Sequence, residues 1–282
     1  MTCGTLYVVA TPIGNLSDVS PRALEVLAGC DTIACEDTRT SRTLLARHGI
    51  GTRVVALHAH NERRAGGALI EALCAGRSIA LISDAGTPAV SDPGAWLVAA
   101  AHQAGIRVLP VPGPNAAVAA WSAAGFSATQ FLFVGFLPAS GAARRKALAA
   151  LDPEIPLILY EAPHRVLETV ADLGARFGPA RELLIARELT KKYEETARLP
   201  LGGAPGWLTA DPNRQLGEFV LVLGPGEPAA PGGGIEPERV LRLLIDSLPA
   251  SEAARLAARI TGAPRKALYA SALKLRRPDR TS

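Results

Sequence analysis

The feature that most constrains the fold is a strand pattern that ends abruptly in a loop of small residues. The apolar run 78–82 is followed directly by the loop 83–88, whose sequence is SDAGTP. Open α/β sheets bind their ligands in loops at the carboxyl ends of the strands. Here Asp84 offers a hydrogen-bond acceptor, Gly86 lets a ligand approach the main chain, and Pro88 restricts the backbone. The pattern predicts a ligand-binding crevice at this loop.

A second loop of the same kind follows the short strand 107–111 and leads into the alanine-rich segment 116–124. Its residues are Pro112, Gly113, Pro114 and Asn115. Two such loops after two strands predict one crevice for a flat, polar cofactor. Neither loop carries the Gly-x-Gly-x-x-Gly fingerprint or the P-loop pattern, so the sequence does not support a dinucleotide site or a P-loop.

Strand-like and helix-like segments alternate along the whole chain, which predicts an α/β fold. In the first half, strands are predicted at 5–10, 32–35, 54–57, 78–82 and 107–111, with helices near 21–28, 39–48, 62–75 and 95–104. This half is expected to form a parallel, doubly wound sheet. In the second half, strands are predicted at 131–136, 157–160, 183–187 and 218–223, with helices at 142–150 and 165–176. Here we expect a smaller α/β domain with mixed strand directions, interrupted by the glycine- and proline-containing stretch 200–206.

Three regions are therefore predicted: an N-terminal α/β domain at 1–125, a second α/β domain at 126–228, and a basic helical region at 235–282. The segment 224–234 is rich in glycine and proline and is typical of a linker. Beyond it, 237–247, 252–260 and 264–275 are predicted as short amphipathic helices. The turn 261–263 resembles the connection of a helix-turn-helix.

The charge of the chain is concentrated at one end. Residues 235–282 contain ten Lys and Arg against five Asp and Glu, so this region carries +5 and the remainder −1. A basic appendage on a neutral body fits a polyanionic partner. The alternative is that the charges form an ordinary solvated helix face.

The remaining compositional signals argue for a cytoplasmic protein. The four cysteines lie far apart without metal-ligand spacing, and all but Cys3 lie in or beside apolar segments, so we expect buried thiols in a reducing compartment and no zinc site. No signal peptide is recognisable, because the apolar run 6–10 is short and leads into Pro12. No apolar run approaches the roughly 20 residues that span a bilayer, so no membrane association is predicted.

Polar residues collect just after four of the predicted strands, in the loops 11–16, 36–39, 58–62 and 161–165. Such loops are expected to face one crevice. Each also has a purely structural interpretation. Asp37 or Thr38 is a candidate helix cap, Glu36 and Arg39 a candidate local ion pair, and Arg165 a candidate partner of Glu161. His58 and His60 lack a third metal ligand, so no metal site is predicted.

The ordered set of these motifs resembles a known family. The segments are 6–16 (LYVVATPIGNL), 36–39 (EDTR), 57–62 (LHAHNE), 83–88 (SDAGTP), 112–114 (PGP), 135–138 (GFLP) and 186–191 (ARELTK). Together they resemble the bacterial 16S rRNA (cytidine-2′-O)-methyltransferases of the tetrapyrrole methylase superfamily, over nearly the whole chain. Members that act on tetrapyrroles carry a glycine-rich first loop, whereas TPIGN stands at 11–15 here, which suits the rRNA branch.

The resemblance implies an S-adenosylmethionine cofactor in the cleft between two α/β domains, and a homodimer. It implies 2′-O-methylation of a cytidine ribose in the decoding region of 16S rRNA in the small ribosomal subunit, with the C-terminal helices helping to hold the rRNA. The implied cofactor-binding residues are Pro12, Asp84, Ala85, Gly86, Thr87, Pro88, Pro112, Gly113, Pro114, Asn115, Tyr160 and Glu161, with 217–219 as a further candidate for the far wall.

The predicted catalytic residues are Glu36, Asp37, Arg39 and His60. A ribose hydroxyl is a poor nucleophile until its proton leaves, so such an enzyme needs a base. The candidate bases are Glu36, Asp37, His60, Asp92 and Glu161, and the sequence does not rank them. The candidate phosphate-binding residues are Arg39, Arg165 and Lys191.

Two alternatives to this function stay open at the level of sequence. One is a small-molecule methyltransferase of the same superfamily acting on a tetrapyrrole. The other is a ribosome-binding or assembly protein with a vestigial crevice, which would have no need of S-adenosylmethionine.

Overall fold

The computed structural model describes residues 3–226, 237–245 and 247–275. The chain divides into two compact units, 1–226 and 227–282. The first unit contains both sheets. The predicted division of this unit at residue 125 stays a prediction.

The first sheet is entirely parallel, with the strand order β3-β2-β4-β1-β5. Its strands are β1 (Thr5–Val9), β2 (Thr32–Cys35), β3 (Val54–Ala56), β4 (Ile79–Leu81) and β5 (Arg107–Val111). Its helices are α1 (Pro21–Gly29), α2 (Thr38–Arg47), α3 (Glu62–Cys74), α4 (Ala95–Gln103) and α5 (Ala116–Ala124). The strands are parallel because each helical crossover returns the chain to the end of the sheet at which the previous strand began.

Helices cover both faces of this sheet, which confirms the doubly wound prediction. On one face Leu6 and Leu81 pack with Leu69 and Leu73 of α3 and Leu97 of α4. The opposite face packs against α1 and α2. Because both faces are covered, β2 and β4 are buried along their whole length. Their sequences are accordingly almost continuous apolar runs.

The second sheet is mixed, as predicted, with the order β6-β7-β10-β8-β9. Its strands are β6 (Leu132–Phe136), β7 (Leu157–Glu161), β8 (Glu182–Arg187), β9 (Glu195–Pro200) and β10 (Phe219–Leu223), and β6 and β7 alone are parallel. One face packs against α6 (Gly141–Ala149), α7 (Val166–Phe177) and α8 (Ala204–Thr209). The other face packs against α5, through Ala117, Ala120 and Ala124. Helix α5 follows β5 of the first sheet in the chain and packs against the second sheet.

Two elements of the second sheet differ from the prediction. The strand β9 was not predicted, and the stretch 200–206 contains the start of α8. The sequence of β9, ETARLP, alternates half-buried and exposed residues. It lies at the edge of the sheet and pairs with β8 alone. A strand with one partner and one wet face carries little apolar signal, which is why the pattern did not reveal it.

The prediction of buried thiols is right for two cysteines only. Cys30 and Cys35 are buried, and burial raises the pKa of both thiols. Cys3 and Cys74 are exposed. Cys74 is the last residue of α3 and falls outside that helix's apolar stripe, although it stands beside apolar residues in sequence.

The second unit contains three helices among its described residues, α9 (Pro237–Ile245), α10 (Ala250–Thr261) and α11 (Arg265–Leu275). They pack around Leu241, Ala253 and Leu268. Gly262 ends α10 in a left-handed conformation (φ 71°), which a glycine adopts without steric cost. The predicted helices and the turn between the last two are confirmed. Across the described part of the chain, no helix combines the length and apolar character that crossing a bilayer requires.

Candidate active site

A cavity of about 340 Å³ lies between the two sheets of the first unit. The first sheet contributes loop residues that follow β1, β4 and β5, and the second sheet contributes residues of β7, β8 and β10. Six of the twelve predicted cofactor-binding residues line it. They are Ala85, Gly86, Thr87, Asn115, Tyr160 and Glu161.

Hydrogen bonds join the three loops of the first sheet into one surface. Thr11 and Gly86 exchange two backbone bonds, of 2.9 and 3.1 Å between nitrogen and oxygen. Thr87 donates its hydroxyl to the carbonyl oxygen of Pro114 at 3.1 Å. Gly86 adopts φ +77°, and a Cβ there would meet the Ile13 side chain at 3.3 Å. A glycine is therefore required at the point where the loops after β1 and β4 meet.

The other predicted cofactor-binding residues lie around this cavity rather than in its wall. Pro12 and Asp84 line a neighbouring hollow of about 300 Å³ beside the start of α2. Pro88 and the residues 112–114 line neither space. Gly113 lies against β1, where an added Cβ would be 3.0 Å from the Ala10 Cβ. These residues position the loops.

The walls of the cavity are mainly apolar, and most of these side chains were not predicted. They include Ile13, Val90, Phe136, Ala186, Leu189 and Val220. An apolar lining with a few placed polar groups is typical of small-molecule sites. Ile13, Phe136, Ala186 and Leu189 belong to motifs that carried the family resemblance. Val90 and Val220 belong to none of these motifs, and nothing in the sequence marked them as lining residues.

Of the five candidate bases, Asp92 and Glu161 line the cavity. Glu161 is committed to structure, since its Oε2 accepts a bond of 2.6 Å from the Thr169 hydroxyl and its Oε1 lies 3.2 Å from the Arg165 guanidinium. The predicted pairing of Arg165 with Glu161 is confirmed. Arg165 also donates to the carbonyl oxygen of Leu137 at 2.6 Å. Its guanidinium is therefore engaged by partners around the second sheet.

The other of these two carboxyls, Asp92, has a raised pKa. Its pKa is raised to about 6, chiefly by burial; a hydrogen bond with Ser83 opposes the rise, and the negative charges of Glu36 and Asp84 add to it. A carboxylate with this pKa is available as a base near neutral pH and accepts a proton more readily than an ordinary aspartate.

None of the four predicted catalytic residues lines the cavity. Burial, followed by the charge of Asp84, raises the pKa of Glu36. Asp37 caps α2 by accepting a bond of 2.8 Å from the Arg39 N–H. His60 is exposed, with its ring centroid 6.0 Å from that of His58. No group of three metal-ligating side chains is found among the residues that the structure describes.

The predicted ion pair between Glu36 and Arg39 is wrong. Arg39 pairs instead with Asp37, at 2.7 Å between the guanidinium and the carboxylate, and this holds the Asp37 pKa at about 2. Asp37 is the N-cap residue, so its side chain turns toward the first turn of α2, where Arg39 lies.

The two loops beside the cavity hold strained backbone. Within the described residues, the non-glycine residues with positive φ are Ala89, Ser91, Glu188 and Thr190. The first pair lies between β4 and α4, and the second between β8 and β9. Such conformations cost free energy and cluster at functional sites. Ser91 faces the β6 bulge, where a Cβ on Gly135 would lie 3.1 Å from its hydroxyl.

Comparison with known proteins points to one family. Residues 5–205 match the Tetrapyrrole (Corrin/Porphyrin) Methylases, and 232–276 match the RsmI C-terminal HTH domain. The chain is 50% identical over 279 residues to a Ribosomal RNA small subunit methyltransferase I of Pseudomonas aeruginosa, covering 97% of this chain and 98% of that protein. It is 46% identical over 272 residues to the protein of the same name of Escherichia coli O157:H7, with 96% and 95% covered.

Solved structures show the same fold at lower identity. The methyltransferase CobJ is 21% identical, with a TM-score of 0.57, and the match covers 79% of this chain and 94% of that one. The Thermus thermophilus uroporphyrin-III C-methyl transferase complexed with S-adenosyl homocysteine is 19% identical, with a TM-score of 0.53, covering 78% and 97%.

Proposed function

The chain belongs to the tetrapyrrole methylase family, and from this premise we propose that it is an S-adenosylmethionine-dependent methyltransferase of small-subunit ribosomal RNA. We further propose that it methylates the 2′ oxygen of a cytidine ribose in the decoding region of 16S rRNA. The cavity between the two sheets supports this proposal, because it combines an apolar chamber with a base at its wall.

The residues of the cavity fit the methyl donor. S-adenosylmethionine supplies an electrophilic methyl group on a sulfonium. The apolar walls, with Val90, Leu189 and Val220, suit a flat adenine ring. The loop 85–87 and Asn115 would hold polar groups of the donor, and Gly86 leaves the backbone open to close approach. A volume of about 340 Å³ lies within the range of roughly 300–1,000 Å³ typical of small-molecule sites.

Asp92 is proposed as the residue that accepts the proton of the ribose hydroxyl. Methyl transfer is an in-line displacement, so the enzyme must align the oxygen, the methyl carbon and the sulfur and keep water away. The strained loop that carries Asp92 is held between the α4 start and the Gly135 bulge. The position of Asp92 in the cavity lining supports its assignment as the base.

The rRNA substrate and the homodimer have separate support. The C-terminal region is basic, and in its described helices Arg259, Arg265 and Lys266 are exposed. For the homodimer, β6 is an edge strand, and Leu132 and Phe136 within it and Phe131 just before it are exposed. An exposed apolar edge strand is a typical association surface. We propose that a second copy of the chain covers this strand. We also propose that the enzyme is cytoplasmic.

The small-molecule alternative has weaker support. A tetrapyrrole substrate does not require a basic helical unit, and the match of 232–276 to the RsmI C-terminal HTH domain favours the rRNA branch. A binding protein with a vestigial crevice would need neither an intact cavity nor an aspartate of raised pKa at its wall, and this chain has both.

The experiment that tests the proposal is transfer of a labelled methyl group from S-adenosylmethionine to small ribosomal subunits that lack the modification, with the labelled site mapped. We expect label on the ribose of one cytidine of 16S rRNA. Label on a base, or on a tetrapyrrole supplied in its place, would overturn the proposed specificity. Failure to bind S-adenosylmethionine would overturn the enzyme assignment itself.

A further inference from the structure

A second, larger hollow lies next to the cavity and takes no part in the chemistry described above. It has a volume of about 910 Å³ and is open to solvent. The loop after β1 lines one side, from Gly14 to Ser17. The end of α2 and the segment 190–192 line the rest. We propose that this hollow binds the phosphodiester backbone of the RNA substrate beside the methylated nucleotide. This inference rests on the proposed function.

The charge of the hollow suits an anion. None of its lining residues is acidic, whereas Arg47, His48, Lys191 and Lys192 all contribute to it. Lys191 is neutralised by Glu188 and Glu218, each 2.9 Å from its ammonium. Arg47 and Lys192 form no ion pair with any described residue. These two cations are therefore available to phosphate oxygens, which Arg and Lys bind in nucleic-acid complexes.

Two further groups of the hollow lack partners. The His48 Nε2 and the Thr190 hydroxyl are buried and form no hydrogen bond with the described residues. Buried polar groups are nearly always satisfied, so such atoms point to a ligand that the site receives. Both are able to donate to a phosphate oxygen. Arg47 lies in the last turn of α2, where the helix carbonyls stabilise its cationic form.

An aromatic side chain beside the hollow fits a single-stranded RNA better than a small anion. The Tyr193 ring is 63% exposed, and the Lys192 ammonium lies 5.2 Å from its centroid. Aromatic rings next to cations give unpaired bases a surface for stacking, while the cations follow the backbone. The hollow is also large enough for more than a single phosphate group.

Two segments of the chain contribute to both the hollow and the cavity, which suits RNA docking beside the site of methyl transfer. In the first loop Ile13 lines the cavity and Gly14 lines the hollow. In the other segment Leu189 lines the cavity and Thr190 lines the hollow. Consecutive residues of the same two segments therefore line the two spaces. On this proposal, one nucleotide of a bound strand enters the cavity while a neighbouring phosphate stays in the hollow.

The test is the double variant Arg47→Ala/Lys192→Ala in the full chain. The matched control is Arg77→Ala/Arg107→Ala, which removes the same charge from two exposed residues at the amino ends of β4 and β5, opposite the cavity. The probe is a single-stranded RNA of the target sequence, titrated at several salt concentrations. We expect the double variant to bind RNA about tenfold more weakly, with a salt slope smaller by about 1.4, as two lost phosphate contacts predict. Its affinity for S-adenosylmethionine should equal that of the control.

Each other outcome has a defined meaning. If wild type methylates its rRNA and the double variant binds RNA as the control does, this inference is overturned and the proposed function stands. Loss of inorganic phosphate binding with RNA affinity unchanged would show a small-anion site instead, and a changed sedimentation coefficient would show an interface between copies. If wild type neither binds the RNA nor methylates small ribosomal subunits that lack the modification, the proposed function fails as well.

Discussion

The backbone N–H of Asp37 donates a hydrogen bond of 3.0 Å to the Asp84 carboxylate. This bond joins the loop after β2 to the loop after β4 and places two acidic loops side by side. The charge of Asp84 then acts on its surroundings, because it raises the pKa of both Glu36 and Asp92. Asp84 therefore has a structural role, as an acceptor, and an electrostatic role, as a charge.

The two roles of Asp84 are separated by substitution. Asp84→Asn keeps an acceptor for the Asp37 N–H and removes the charge, so the pKa of Asp92 should fall. We expect the acidic limb of the pH–turnover profile to move to lower pH, with the unfolding free energy at neutral pH little changed. Asp84→Ala also loses the acceptor, and it should be destabilised by about 1 kcal/mol. If the acidic limb of the pH–turnover profile stays in place in Asp84→Asn, Asp92 is not the group whose ionisation limits turnover.

Asp92→Asn should abolish most turnover without loss of cofactor binding. Removal of a general base typically costs about 100-fold or more. The comparison is single-turnover methyl transfer against S-adenosylmethionine affinity by calorimetry. Asp152→Asn is the matched control, because Asp152 is exposed, precedes the start of β7 and does not line the cavity. Equal losses of turnover in the two variants would argue against Asp92 as the base.

The same substitution should stabilise the protein above pH 6. The folded-state pKa of Asp92, about 6, lies above the value of about 3.9 for an unfolded aspartate. The protonated form is thus favoured by folding, and its contribution is complete below about pH 4 and lost as the pH rises through 6. We expect Asp92→Asn to raise the unfolding free energy by about 1–2 kcal/mol at pH 8 and by little at pH 4. Urea titrations at the two pH values measure this difference.

Gly14→Ala should destabilise the contact between the two sheets. A Cβ at Gly14 would clash with the Lys191 side chain and lie 2.9 Å from the Leu189 carbonyl oxygen. We expect a loss of about 1–3 kcal/mol, as for other overpacking changes. Gly67→Ala is the control, because nothing lies within 4 Å of a Cβ there. A helix favours alanine over glycine, so α3 should gain up to about 1 kcal/mol. Thermal unfolding of the two variants should therefore shift in opposite directions.

Arg39→Ala should raise the Asp37 pKa from about 2 toward its usual range, because the guanidinium pair is the main cause of the depression. The contribution of Asp37 to stability is present above the unfolded pKa of aspartate and is lost as the pH falls through about 2. Titration of the carboxyl carbon by NMR measures the shift. Arg42→Ala removes the same charge one turn along α2 and should leave the Asp37 pKa low.

The exposed cations of α10 and α11 should contribute to RNA affinity. Arg259, Arg265 and Lys266 are all exposed. Their replacement by alanine should weaken RNA binding about equally for all sequences and reduce the salt slope, while S-adenosylmethionine affinity is unchanged. Filter binding of small-subunit rRNA at several salt concentrations measures both quantities. Undiminished RNA affinity would assign these residues to an ordinary solvated face.

Much of the first sheet could be predicted because its strands are apolar throughout and its helices begin with clear caps. Ser20 and Pro21 show this, since the Ser20 hydroxyl accepts from the Ala23 N–H at the start of α1. The edge strand β9 could not be predicted, because only one of its sides is paired and its residues alternate in exposure. The pairing of Arg39 depended on which way the capping carboxylate turned, and sequence spacing carries no information on that.

By itself, the sequence determined the α/β architecture, the loops that form the crevice, and the family whose motifs these loops match. Strand period, helix caps and small-residue loops are local properties of the chain, so they are visible in the sequence. Only the tertiary structure decided which of the candidate carboxyls line the cavity and which are held by other side chains. Glu36, Asp37 and Glu161 lie at strand ends and Asp92 lies in the loop between β4 and α4, but their ionisation depends on burial and on the partners that the fold brings to them. Thr169 and Arg165 engage Glu161, Arg39 engages Asp37, and burial raises the pKa of Asp92 at the cavity wall.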